Sequence, residues 1–156
     1  MSTLSESYYR NYLVHGLPGE SVRQIASLAT EEGFIMNETI VKQGEKGSDL
    51  YIVLEGTVNI IVGGSDKLNE IGPGSVIGEI ALIDDQPRSA DAVAKTRVKV
   101  ARIPAKELRN LMWEQKDVGF VMLANLSRVL CGRLRQASAM IDTLMDAAAD
   151  PWAGQI

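Results

Sequence analysis

The apolar positions of the chain change period twice. Val22, Ile25, Ala26, Leu28 and Ala29 recur at helical spacing after Leu17-Pro18-Gly19, which predicts a helix over Glu20 to Glu32. From about residue 50 the runs shorten and become rich in Val, Ile, Leu and Tyr, and eight of the fourteen glycines fall between Gly44 and Gly78. Such punctuation signals compact β structure with tight turns. Leu50 to Leu54 and Thr57 to Val62 flank Glu55-Gly56, whose glycine can supply the positive φ of a two-residue hairpin, so a hairpin is predicted with Val58, Ile60 and Val62 on one face. Gly63-Gly64-Ser65-Asp66 reads as a second turn, Lys67 to Ile71 as a strand, and Gly72-Pro73-Gly74 as a turn that cannot be helical. Two further strands fit Ser89 to Ala94 and Arg97 to Ile103.

Helical spacing returns after Pro104, which can open a short helix from Ala105 to Trp113 with Leu108, Leu111 and Met112 on its apolar side. A longer helix is predicted over Asp117 to Ala148, with Asp117 as its N-cap. Leu123, Leu130, Ala137 and Leu144 repeat every seven residues along it, interleaved with Ser127, Leu134, Ile141 and Ala148. That stripe could pack on the chain's own β structure, as amphipathic helices do, but it runs past what one small roll could cover, so a homodimer through this helix is expected. The predicted fold is α+β and mainly β: a double-stranded, jelly-roll-like β-roll flanked by short N-terminal helices and a long C-terminal helix. The boundaries are 1–116 for the roll with its N-terminal helices, 117–148 for the helix and 149–156 for a tail.

Composition narrows the function classes. A chain of 156 residues fits one domain, and 46% hydrophobic with 23% charged residues is globular usage. A net charge of -4 disfavours nucleic acid, because phosphate contacts need a basic stripe. The absence of a signal-like start or an uncharged apolar run of spanning length predicts a cytoplasmic protein away from membranes. Cys131 is the single cysteine, and it reads as a small buried hydrophobe. His15 is the single histidine, too few for a metal cluster or a cupin-type metalloenzyme, and no metal or cofactor is expected. Asp84-Asp85 reads as a solvated turn, and Trp113, Tyr8, Tyr9 and Tyr12 read as packing residues. Trp152 does too, unless the tail folds back over a ligand.

The candidate chemistry lies between Gly72 and Ala94. Gly78 permits close approach of backbone to a ligand, and Glu79 to Leu82 can form one helical turn whose amides face an anion. Past a loop holding Asp84, Asp85 and Pro87, Arg88 returns a guanidinium suited to bidentate phosphate contacts. Glu79 would repel a bare anion but can accept from a sugar hydroxyl, so the pair implies a ligand with both groups, a nucleotide. Alternatively, Glu79 and Arg88 could form a salt bridge that staples the loop.

Gly78-Glu79-Ile80-Ala81-Leu82 with Arg88-Ser89-Ala90 resembles the phosphate-binding cassette of the cyclic-nucleotide-binding domain family, which includes the catabolite activator protein and protein kinase A regulatory subunits. Val41 to Gly56 resembles the family's glycine-marked β-roll, and the long helix its dimerisation helix. The resemblance implies that Glu79 binds the ribose 2'-hydroxyl and that Arg88 binds the cyclic phosphate. It implies that Ser89 adds a hydroxyl contact, that Gly78, Ile80 and Ala81 offer backbone groups, and that Ile77, Leu68 and Asn69 line the sugar and base. Arg133 to Ser138 resembles the stretch that touches adenine in the catabolite activator protein, with Ser138 at a hydroxyl-bearing position and Ala137 where that protein has threonine.

The expected function is a non-enzymatic sensor that binds a cyclic purine nucleotide, cAMP in preference to cGMP, and signals through its C-terminal helix to an effector. The competing possibility is a degenerate docking or dimerisation module of the same fold. The chain leaves only Asp150 to Ile156 after the helix, so no helix-turn-helix and no DNA binding are expected.

Overall fold

The computed structural model describes residues 4–63, 66–84 and 86–149. Helix α1 (Glu6–Arg10), a 3-10 turn (Tyr12–Val14) and helix α2 (Gly19–Ala26) come first. Strands β1 (Thr30–Phe34), β2 (Thr39–Val41), β3 (Asp49–Glu55), β4 (Val58–Val62), β5 (Asp66–Ile71) and β6 (Val76–Ile77) follow. A second 3-10 turn (Glu79–Leu82), strands β7 (Asp91–Ala94) and β8 (Val98–Pro104), helix α3 (Ala105–Glu114) and helix α4 (Lys116–Ala149) complete the chain. The strands form two antiparallel four-stranded sheets, ordered β1-β8-β3-β6 and β2-β7-β4-β5. The predicted class holds: a β-roll with short N-terminal helices and a long C-terminal one.

Period-two alternation separates two cores. On β3, Leu50, Ile52 and Leu54 face the helices while Tyr51 and Val53 face the opposite sheet. On β8, Ala101 and Ile103 face the helices and Val98 and Val100 face inward. Strands covered on both faces lose the apolar/polar alternation of a half-exposed sheet, hence the unbroken run Leu50 to Leu54. Val58, Ala92 and Ala94 supply the facing sheet's share of the inner core.

Several expectations are corrected. Strands β3 and β4 are not a hairpin, because β3 pairs with β6 and β8 while β4 pairs with β5 and β7. Gly56 does have positive φ, +89°, but it turns a corner between sheets, pinned by the Thr57 amide on the Thr96 hydroxyl and the Lys95 amide on the Thr57 carbonyl. The helix expected to reach Glu32 stops at Ala26; Glu31 and Glu32 belong to β1, where they ion-pair with Lys99 and Arg102 of β8. Cys131 is exposed, because α4 has by then run past the roll. Trp113 is 76% exposed, with the Lys116 ammonium 5.4 Å from its ring centroid, so it is not a packing residue. Helix α4 starts at Lys116, which puts Asp117 inside its first turn.

Helix α4 is fastened along its first half. Val118, Met122 and Leu126 enter the helix-side core, Gly119 lies close against the Met112 carbonyl of α3, and the buried Asn125 amide donates to the Leu13 and His15 carbonyls at 2.9 and 2.8 Å. Leu134, Ile141 and Leu144 remain more than half exposed. No helix among the described residues is long and apolar enough to cross a membrane.

Candidate functional site

After β6 the chain turns at Gly78, whose φ of +79° is left-handed and comfortable for glycine. A side chain there would also overlap the Arg88 guanidinium. The residue therefore starts the 3-10 turn and clears the space that the arginine occupies.

Glu79, the first residue of that turn, is 5% exposed. A buried carboxylate needs a partner, and it receives one from α4: Arg133 Nη2 donates to Oε1 at 2.9 Å. A second link runs to α3, where Arg109 Nη1 donates to the Ala81 carbonyl at 2.7 Å. Both helices thus touch the turn through arginines.

Arg88 is held differently. Its Nη2 donates to the Asp49 carbonyl at 2.5 Å, and its backbone exchanges 2.9 Å hydrogen bonds with Gly44 and Glu45. Among the described residues no carboxylate lies within ion-pair distance of it. The neighbouring Asp49 carboxylate is engaged by Arg102 Nε at 2.5 Å, and Arg102 Nη1 also reaches Glu32 at 3.0 Å. Hydrogen bonds first to Asp49 and then to Glu32 raise the Arg102 pKa, and its guanidinium carbon stands 5.9 Å from the Tyr51 ring centroid. Arg102 thus engages the carboxylate of the residue whose carbonyl holds Arg88. Replacing Arg102 by leucine should leave that carboxylate unpaired beside the Arg88 anchor and weaken any anion binding there by roughly tenfold, about 1.4 kcal/mol; titrations of wild type and variant with organic phosphates check this.

Arg88 and Glu79 open on one cavity of about 450 Å³, a size typical of small-molecule sites. Its strand wall is apolar, built by Val41, Ile60, Val62, Ile71 and Val76, with Asn69 as an amide on β5. Its polar lining is Arg88, Ser89, Asp91, Glu79 and Arg133. An anion fits the guanidinium end, a hydroxyl-bearing ring the carboxylate, and a flat apolar group the strand wall. Among the described residues no cluster of His, Cys, Asp and Glu could hold a metal ion.

Of the residues singled out in the sequence, Ile77, Gly78, Glu79, Ile80, Arg88, Ser89 and Asn69 all line this cavity. Glu79 and Arg88 do not pair with each other. The Ala81 amide donates to the Gly78 carbonyl at 3.1 Å, so Ala81 closes the turn and packs in the helix-side core. Ser138 is exposed on α4 and lines no part of the cavity. The side chain of Leu68 lies outside the described residues, as do Gly64, Ser65, Asp85 and Trp152. Asp84 accepts from the Gln86 amide at 3.1 Å, as a turn residue does. Sequence reasoning placed Arg133 in the stretch that resembles an adenine contact but not against Glu79, and it missed Asp49 and Arg102 as site-building groups. Nothing local marks a carbonyl contact made 39 residues away.

Residues 32–115 match the family model described as Cyclic nucleotide-binding domain. The cAMP-dependent protein kinase regulatory subunit of Yarrowia lipolytica is 37% identical over 94 residues, covering 60% of this chain and 25% of that protein. The corresponding subunit of Candida albicans is 30% identical over 112 residues, covering 72% and 24%. The chain therefore spans about a quarter of the length of these relatives. Among solved structures, the Thermus thermophilus catabolite activator protein superposes with a TM-score of 0.76 at 29% identity, over 86% of this chain and 63% of that one. The N-terminal domain of a transcriptional regulator from Streptomyces coelicolor A3(2) gives 0.73 at 27% identity, over 86% and 94%.

Proposed function

Because this chain belongs to the cyclic nucleotide-binding domain family, we propose that it is a non-enzymatic sensor of a cyclic purine nucleotide, with cAMP preferred to cGMP. The observation that carries this reading is the Arg88 guanidinium, fixed by a backbone carbonyl, without a carboxylate partner among the described residues, and facing a cavity whose other polar corner is a buried carboxylate. Such a charge is poised for a phosphate monoanion. The sugar hydroxyl then donates to Glu79, and the base lies on the strand wall. A docking module would have no need of a guanidinium kept unpaired in this way.

Thermal melting tests the reading. A ligand that binds only the folded state at a hundred times its Kd adds about 2.7 kcal/mol, a rise of roughly 5 to 10 °C for a chain of this length. Cyclic nucleotides should produce it and inorganic phosphate should not; no rise with either cAMP or cGMP counts against the proposal. Competition between the two nucleotides decides the base. The small size of Ser89, directly after Arg88, is compatible with cAMP. Asn69 does not separate adenine from guanine: its Oδ1 accepts from the Glu70 amide at 2.8 Å and still has one lone pair beside the N–H donors to offer a base.

Signalling follows from shared partners. Arg133 and a sugar hydroxyl use the same Glu79 carboxylate, so occupancy of the site biases the position of α4. The exposed stripe of α4 supports a parallel dimer, with Ser127, Leu134, Ile141 and Ala148 at a and Leu123, Leu130, Ala137 and Leu144 at d. Phe120, 74% exposed, extends it by one more a position. In that register Arg133 is a g residue and Ser138 an e residue of the next heptad, so Ser138 of the partner subunit would come beside Arg133 at the cavity mouth. This accounts for a base-reading Ser138 that lines no part of its own chain's cavity. Sedimentation should give a dimer at micromolar concentration, converted to monomer by Leu134→Asp with Ile141→Asp; a wild-type monomer contradicts the dimer. The effector reached by α4 is proposed to be a protein.

A further inference from the structure

Tyr12 belongs to the first 3-10 turn, far in sequence from the cassette and absent from the cavity lining. Its hydroxyl is buried without a hydrogen-bond partner, and the Glu79 carboxylate is among the groups whose charge acts on it. Burial first and the Glu79 charge second hold its pKa above the usual phenol value, so the group is a protonated donor facing an anion. A buried hydroxyl left unsatisfied is destabilising. The carboxylate beside it has Oε1 engaged by Arg133.

The turn that carries Tyr12 is not free to drift. Leu13 and Val14, which follow it, are buried, Asn125 of α4 clamps the Leu13 and His15 carbonyls, and the Asn11 amide donates to the Tyr8 carbonyl at 2.7 Å. Two turns beyond Asn125, the same helix supplies Arg133. Glu79 is thus approached from the N-terminal turn and from α4 by groups fixed to one another.

We propose that Tyr12 is a positioning residue for nucleotide binding: its hydroxyl donates to Glu79 when the carboxylate turns to accept the ribose 2'-hydroxyl, holding it in that orientation and tying the N-terminal turn to recognition of a ribonucleotide. The inference rests on the nucleotide reading of the cavity and adds a group that acts through Glu79 rather than on the ligand. Its ligand class is specific, since only a sugar bearing a 2'-hydroxyl feels it.

Calorimetric titration of the wild type and Tyr12→Phe with cAMP and with 2'-deoxy-cAMP tests it. Tyr12→Phe keeps the ring and removes one oxygen. Wild type should bind both nucleotides, cAMP more tightly. The variant should lose about tenfold for cAMP, as for a hydrogen bond to a charged group, and less than about twofold for 2'-deoxy-cAMP. A purely structural role would weaken both alike, and that outcome, or no loss for either, overturns the proposal. In a Glu79→Gln background the effect of Tyr12→Phe on cAMP should shrink below about twofold; persistence of the full loss also overturns it. If the wild type binds neither nucleotide, the reading of the cavity fails and the role of Tyr12 falls with it, a result distinct from binding that ignores Tyr12.

Discussion

Arg88→Ala is expected to lower cyclic-nucleotide affinity by roughly thirtyfold to several thousandfold, the equivalent of about 2 to 5 kcal/mol for truncating one partner of a desolvated charge pair. The size follows from the surroundings. Among the described residues that line the cavity the other cation is Arg133, which is engaged with Glu79, and the nearby Arg102 is engaged with Asp49 and Glu32. Arg88→Lys should recover only part of the loss, since an ammonium cannot keep the Asp49 carbonyl and offer a forked pair of donors to the phosphate. Stability should change little, because the anchoring backbone bonds to Gly44 and Glu45 survive the substitution. Titrations paired with melting curves separate the two effects. Affinity within threefold of wild type in a folded Arg88→Ala protein refutes the role given to this residue.

The largest effect on the fold itself is expected at Gly56. With φ at +89° and a Cβ that would overlap the Arg97 carbonyl oxygen while reaching 3.0 Å from the Thr96 hydroxyl and the Val98 Cα, alanine there must displace backbone. Left-handed strain and overpacking together amount to about 2 to 4 kcal/mol, a melting temperature lower by roughly 5 to 15 °C. Gly63 is the internal control: its φ is +76° with nothing within 4 Å of an added methyl group, so Gly63→Ala should cost only about 1 kcal/mol. Equal melting temperatures for the two variants would show that the corner between the sheets is not what holds Gly56.

That corner also shows where sequence reading stopped. Glycine at position 56 and the strands on either side were legible, because positive φ and apolar runs are local properties. Whether the two strands pair or part into different sheets depends on Thr96 and Arg97, some 40 residues later, and no local pattern carries that information. The same limit explains Glu31 and Glu32, whose helical periodicity yields to pairing with β8, and Cys131, whose burial depended on how far α4 outruns the roll. The stretch that lines the cavity was legible for the opposite reason. Gly78, Glu79, Ile80, Arg88 and Ser89 lie within twelve residues, and the glycine, the turn and the arginine each impose their geometry nearby. Arg133 reaches Glu79 only through tertiary packing, so that ion pair was not legible even though Arg133 opens the stretch that resembles an adenine contact.

The cavity between Arg88 and Glu79 is proposed above all to hold a cyclic nucleotide. Calorimetric titration of the wild-type chain with cAMP and cGMP, beside 5'-AMP, tests this most directly. Saturable one-site binding of at least one cyclic nucleotide is expected well below about 1 mM, equivalent to more than about 4 kcal/mol, with 5'-AMP markedly weaker because its dianionic open phosphate does not match the single guanidinium. Failure of both cyclic nucleotides to bind below about 1 mM, or equal binding of 5'-AMP, would contradict it.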